Sequence, residues 1–187
     1  MKIATYALRT AAFACFALAL SSASCELFDK VDDVTFDIEI KHTFVINASA
    51  SDPLSYAEIE EIDPTDNADF AKYKDKIQSV TINSVEYTVT NYSGDPSITF
   101  SNGSGSFLAQ GTSTTALATA AINIQNIAQA QGTTKTLEYT VQGLEAIASE
   151  MEQLKPVRMS VSGTVSAVPV AFNVPVTIKM TIVADAL

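Results

Sequence analysis

"VTFDIEIKHTFVIN", Val34 to Asn47, decides the fold. Val34, Phe36, Ile38, Ile40, Phe44 and Ile46 share one parity, while Thr35, Asp37, Glu39 and Lys41 share the other. Successive side chains of a strand point to opposite faces, so this alternation predicts a strand with one apolar and one polar face. His42 falls on the apolar parity and is the only histidine of the chain. It reads as a residue at a bend or strand edge, not as part of a site.

The same period returns further along. Gln78 to Tyr92 carries Val80 and Ile82 on one parity and Val85, Tyr87 and Val89 on the other, so a bulge is expected near Asn83-Ser84. "SGDP" (Ser93 to Pro96) reads as a turn into Ser97 to Ser101, and "NGSG" (Asn102 to Gly105) as a hairpin turn before Phe107 and Leu108. Ala116 to Ile124 is another strand, and Leu137, Tyr139 and Val141 mark the next. Gln125 to Thr134, between those two, is polar and short. Val157 to Val165 leads through a turn near Pro169 into Val170, Phe172, Val174, Val176, Ile178, Met180 and Ile182. Proline cannot donate to a ladder, so Pro175 predicts that this last strand is an edge or is bulged there. Leu54 to Ile62 is readable as strand or helix.

Two stretches have helical spacing instead. In "DPTDNADFAKYKDKI" (Asp63 to Ile77), Phe70, Tyr73 and Ile77 lie on one face, Asp66 is placed as the N-cap with Asp69 three residues on, and lysines gather towards the end. Leu144, Ile147, Met151 and Leu154 make a second amphipathic helix, closed before Pro156. Seven or eight strands with two short helices at strand connections predict a mainly β chain. The expected form is an immunoglobulin-like antiparallel β-sandwich occupying 34–187 as a single domain.

The chain before that domain has a different character. Lys2 and Arg9 precede a short apolar core, Ala11 to Leu20, and the small residues Ser21 to Ser24 follow. Ten apolar residues are too few to span a bilayer, which takes about 20, so residues 1–24 read as a cleaved export signal. Two cleavage sites compete: one at the small residues Ser21 and Ala23, the other just before Cys25. Ser22-Ala23-Ser24-Cys25 resembles the lipobox of bacterial lipoproteins, with Ser22 in place of the usual leucine, a looseness familiar in Bacteroidota-type members. That resemblance implies an acylated Cys25 at the start of the mature chain. It also implies an outer-membrane location, lipid-anchored, with the domain periplasmic or surface-exposed. Residues 25–33 (CELFDKVDD) then form an acidic tether, similar to the acidic export signals of that group. The strands "NSVEYTV" (83–89) and "VSGTVSAVPVAF" (161–172) likewise resemble β-sandwich lipoproteins of Bacteroidota type, from which no activity carries over.

Composition narrows the chemistry. With Cys15 inside the leader and Cys25 at the anchor, the mature chain has no disulfide and no thiolate metal site. Its roughly 160 residues are enough to bury a core without such staples. The net charge is −10, and acids outnumber lysines about three to one between Glu26 and Asp95, a balance that repels nucleic acid. No Ser-x-x-Lys pair and no phosphate-cradling glycine loop occurs.

No catalytic or cofactor-binding residue is assigned, and the chain is expected not to be an enzyme. Glu58, Glu60, Glu61, Asp63, Asp66 and Asp69 are acids enough for a glycosidase pair, but such a pair has to flank a cleft across a fixed gap. "DPTDNAD" places Asp63, Asp66, Asn67 and Asp69 within seven residues, a set of hard oxygen donors suited to calcium although not in EF-hand spacing. Calcium is the one cofactor these residues would suit. There is no tryptophan to serve as a sugar platform, and Tyr92, beside the Ser-Gly-Asp-Pro turn, is the tyrosine expected to be exposed. The expected function is a lipid-anchored, non-enzymatic binding or assembly module of the cell envelope, with the membrane and an envelope protein as partners. The alternative is a calcium- or glycan-binding accessory module for polysaccharide capture.

Overall fold

The computed structural model describes residues 33–111 and 115–186. Among these residues nine strands form two antiparallel sheets. They are β1 (Asp33–Ala48), β2 (Ser55–Ile62), β3 (Ile77–Thr88), β4 (Thr90–Gly94), β5 (Phe100–Leu108), β6 (Ala116–Ile124), β7 (Thr134–Thr136), β8 (Val157–Val165) and β9 (Val170–Asp185). One sheet has the order β1-β9-β3-β7 with β4 also on β9, and the other has β2-β8-β5-β6. The expected β-sandwich is what the chain forms, with strands β1 and β9 as its longest members.

β9 shows why the alternation is so strict. Val170, Phe172, Val174, Val176, Ile178, Met180, Ile182 and Ala184 are all buried, and every residue between them is half-buried. A strand flanked on both sides and packed on one face gives that pattern. β1 pairs with β9 along its whole length, Asp33 opposite Asp185 and Ala48 opposite Val170. β3 and then β4 take the other flank. The expectation that β9 is an edge or is bulged at Pro175 is therefore wrong. β3 pairs with β9 as far as Val176 and β4 resumes at Asn173, so Pro175 falls in the gap between them, where no donor is required. The bulge at Asn83 is present, with the register shifting between Ile82 and Ser84.

The "NGSG" stretch is not a turn. Asn102 to Gly105 run inside β5, which shifts register against both β6 and β8 at this point, and Asn102 takes a φ of 50°. Asn-Gly here supplies a bulge in place of a hairpin. Glycine is required for a second reason, because Phe100 turns into the core over Gly103 and Gly163. A Cβ on Gly163 would lie 2.1 Å from the Phe100 ring, and one on Gly103 would lie 2.5 Å from the Ile122 carbonyl oxygen. Phe100 meets Phe172 of the facing sheet edge-on at 5.8 Å, so this pair joins the two layers.

Among the described residues three α-helices accompany the strands: α1 (Ala68–Tyr73), α2 (Ile127–Ala130) and α3 (Val141–Glu152). α2 lies in the polar Gln125–Thr134 stretch, where no helix was expected. The strand expected at Leu137 to Val141 does not form there; the pairing with β3 lies just before it, at Thr134–Thr136. Thr140 Oγ1 instead accepts from Gly143 N and caps α3, which commits Val141 to the helix. α3 packs on β3, β6 and β8 and closes one flank of the sandwich. Its last turn sends Glu152 Oε1 to accept from Val80 N at 2.8 Å, on the side of β3 where β7 does not reach.

Gly163→Ala is expected to cost about 1–3 kcal/mol in urea unfolding, the usual scale of overpacking. The loss should shrink when Phe100→Leu is added, because the clash is with that ring; additive losses would show that Phe100 is not the obstacle.

Candidate functional site

The flank opposite α3 is built differently. It is formed by the two outer strands β1 and β2, one from each sheet, and by the connection that runs from β2 through α1. Among the described residues the helix on this flank is the short α1, whose Tyr73 meets Phe36 of β1.

β2 contributes an unusual inner row. Tyr56, Glu58, Glu60 and Ile62 have the inward parity, while Ser55, Ala57, Ile59 and Glu61 are exposed. Two glutamates on the inward side of an edge strand resist the docking of another strand, because pairing would dehydrate them. The Tyr56 hydroxyl lies within bonding reach of Glu58 Oε2 and of the Val45 carbonyl oxygen at 3.3 Å. Partial burial, followed by the bond to Glu58, raises the Tyr56 pKa well beyond the ordinary phenol range. Glu58 and Glu61, three apart on a strand, point to opposite faces and cannot converge on one substrate.

The four proposed oxygen donors lie on the connection above this flank. Asp63 caps a single 3-10 turn, Pro64–Asp66, its Oδ1 accepting from Thr65 N at 2.8 Å and from Thr65 Oγ1 at 2.7 Å. The expected N-cap at Asp66 is displaced by one residue. Asn67 Oδ1 accepts from Asp69 N and Phe70 N, and the helix begins at Ala68. Asp66 is used up in the 3-10 turn that precedes it, so its backbone cannot take the extended cap conformation that Asn67 adopts. The carboxylates of Asp66 and Asp69 are on exposed residues. Among the described residues no three His, Cys, Asp or Glu side chains gather in a way that could hold a metal ion. Cys25 lies outside the described residues. So does most of the tether.

β1 is the strand whose role was not foreseen. Among the described residues its outer side has no neighbouring strand, and two side chains reach it: Tyr56 at Val45 and Asn67, whose Nδ2 donates to the Glu39 carbonyl oxygen at 3.4 Å. Its inner row is apolar except for His42, which is half-buried and sits edge-on to Phe44 at 4.9 Å. Phe36 packs on Tyr73 of α1 at 5.0 Å. On the solvent face Lys41 Nζ stands 2.8 Å from Glu39 Oε2 and holds that carboxyl below the usual range, first by the hydrogen bond and then by its charge. Glu39 faces Lys179 of β9 in register, and Lys179 Nζ is 2.8 Å from Glu86 Oε1 of β3. A row of alternating charge thus crosses the sheet and ends at the β1 edge.

Tyr92 is not the exposed platform expected of it. It packs against the core, and its hydroxyl donates to the Asp95 carbonyl oxygen across the turn. Among the described residues no helix is long and apolar enough to cross a membrane.

No protein-family model and no curated protein matches the chain. Among solved structures it is similar to Desmodium yellow mottle tymovirus, at 9% identity over 83% of this chain and 90% of that one, with a TM-score of 0.42. Turnip yellow mosaic virus follows at 11% identity, 80% and 93% coverage and a TM-score of 0.41. A disulfide-linked pilus of Bacillus endospore appendages is similar at 13% identity, 83% and 94% coverage and a TM-score of 0.31. No function is taken from likenesses of this depth.

Asn67→Ala is expected to lower unfolding stability by about 1 kcal/mol, the cost of a lost N-cap. Asp66→Ala should stay within about 0.5 kcal/mol, as exposed substitutions do. Equal effects, read from denaturation midpoints, would return the cap to Asp66.

Proposed function

We propose that this is a lipid-anchored, non-enzymatic protein of the bacterial cell envelope that works by binding or assembly. The observation that supports it best is the β1 edge. It runs for 16 residues without proline, without a register shift and with no acid or base but His42 on its inner row. Soluble domains normally blunt such edges, since unpaired N–H and C=O groups recruit other strands. β2, the neighbouring outer strand, is blunted by Glu58 and Glu60. β1 is left open, as a strand kept for pairing would be.

The anchor fits the same reading. Cys25 precedes β1 by a short acidic stretch that spans at most roughly 30 Å when extended. Two or more acyl chains, at about 0.8 kcal/mol for each buried methylene, would make attachment effectively permanent. β1 would then be presented close to the membrane surface, within reach of other envelope proteins.

Cys25→Ala is expected to move the protein from the membrane to the soluble fraction and to remove the acyl mass from the intact protein. Continued membrane fractionation without any acyl mass would overturn the anchor. Crosslinked co-purification of the native protein from its host should recover a stoichiometric protein partner, a second copy included. Recovery of the chain alone and monomeric would overturn the assembly reading.

A further inference from the structure

We propose that the chain pairs with a second copy of itself through β1, antiparallel, about a two-fold axis at Ile40. This rests on reading the protein as an assembly module and names its partner.

The backbone sets which residues can pair. Side chains bond the carbonyls of Glu39 and Val45 from outside the sheet, so the odd-numbered residues of β1 turn their N–H and C=O groups outward. An added antiparallel strand has to match odd residues with odd ones. Charge then selects among the registers. An axis at Glu39 sets that carboxylate against itself, and one at Lys41 does the same to the ammonium. An axis at Ile38 opposes Asp37 to Glu39. An axis at His42 avoids like charges but opposes Lys41 only to Thr43, and Glu39 only to Val45. The axis at Ile40 places Glu39 opposite Lys41 of the partner copy, twice over, and sets Asp37 against Thr43 and Thr35 against Val45. Opposite charges directly across a ladder are favourable and like charges are not.

The rest of the strand agrees with that register. The inner row brings Phe36 to Phe44, Val34 to Ile46 and Ile38 to His42 of the partner copy. It covers Val34, Phe36, Ile40 and His42, all half-buried in the single chain. On the outer face, the charges Glu86, Lys179 and Glu39 already alternate across β3, β9 and β1. Lys41 of the partner copy takes the next place with the correct sign. The two contacts that would be displaced, Tyr56 to Val45 and Asn67 to Glu39, are 3.3 and 3.4 Å long, near the limit for a hydrogen bond.

The test uses the full-length protein in detergent and reads the dimer fraction by sedimentation. Glu39→Lys and Lys41→Glu should each weaken the dimer by about tenfold or more, because each sets like charges across the ladder at two places. The double exchange, Glu39→Lys with Lys41→Glu, should restore it, since the pairs are merely reversed. Both positions are exposed, and an unchanged melting temperature shows that folding is intact. Disulfide trapping fixes the register: Thr35→Cys mixed with Val45→Cys should link above the wild-type background, and neither should link to itself. A monomer at all concentrations, a double exchange that stays as weak as the singles, or self-linking at Val45 would overturn the proposal. If the chain is monomeric here yet still recovers a different protein from its host, the assembly reading survives and this partner does not.

Discussion

Everything in this molecule hangs on β9. It is hydrogen-bonded along both flanks for most of its length, and its inner row carries the middle of the core. A strand in that position has to alternate without a fault, because one slipped residue would exchange its buried set for its exposed set. Sixteen residues of uninterrupted alternation meet that demand. The one residue that cannot donate, Pro175, is accommodated by a break between β3 and β4 and not by any change in β9 itself. The neighbours adapt to β9.

The flanks of the sandwich are closed by different chemistry. On one side α3 lays its apolar face over β3 and β6, with Ala118 tight against Gly143. On the other side the short α1 puts Phe70 into the core and Tyr73 against Phe36, and the polar side chains Tyr56 and Asn67 each reach a carbonyl of β1. Asn67 thereby joins two tasks, capping α1 with its oxygen and touching β1 with its amide nitrogen. The acidic segment that drew attention as a set of metal ligands is, for Asp63 and Asn67, a pair of caps that fix where the chain leaves β2 and enters α1.

Much of this was legible from residue order alone, and the failures share a cause. Parity found β1, β6, β8 and β9, and the switch between Ile82 and Val85 located the bulge, since period two follows directly from strand geometry. Asn102-Gly103 misled because a bulge and a tight turn both call for a left-handed residue, and only the neighbours decide which forms. Phe100, folding back over Gly103 and Gly163, is such a neighbour and is invisible in local pattern. Asp66 and Asn67 are equally good caps by type, and the 3-10 turn started by Pro64 chose between them. Pro175 was read by the usual rule for proline in strands. That rule assumes a continuous neighbour, and β9 has an interrupted one. No signal in β1 itself says that it is an edge, since its alternation would serve equally well in the interior.

The carboxylate of Glu152 has a consequence beyond holding α3 in place. By taking the Val80 N–H it occupies the far side of the sheet, where β3 extends past the short strand β7. A sheet with two receptive margins grows without limit when strands add to it, as fibres do. The same side chain that anchors a helix end thus withholds one backbone donor of that margin from any added strand.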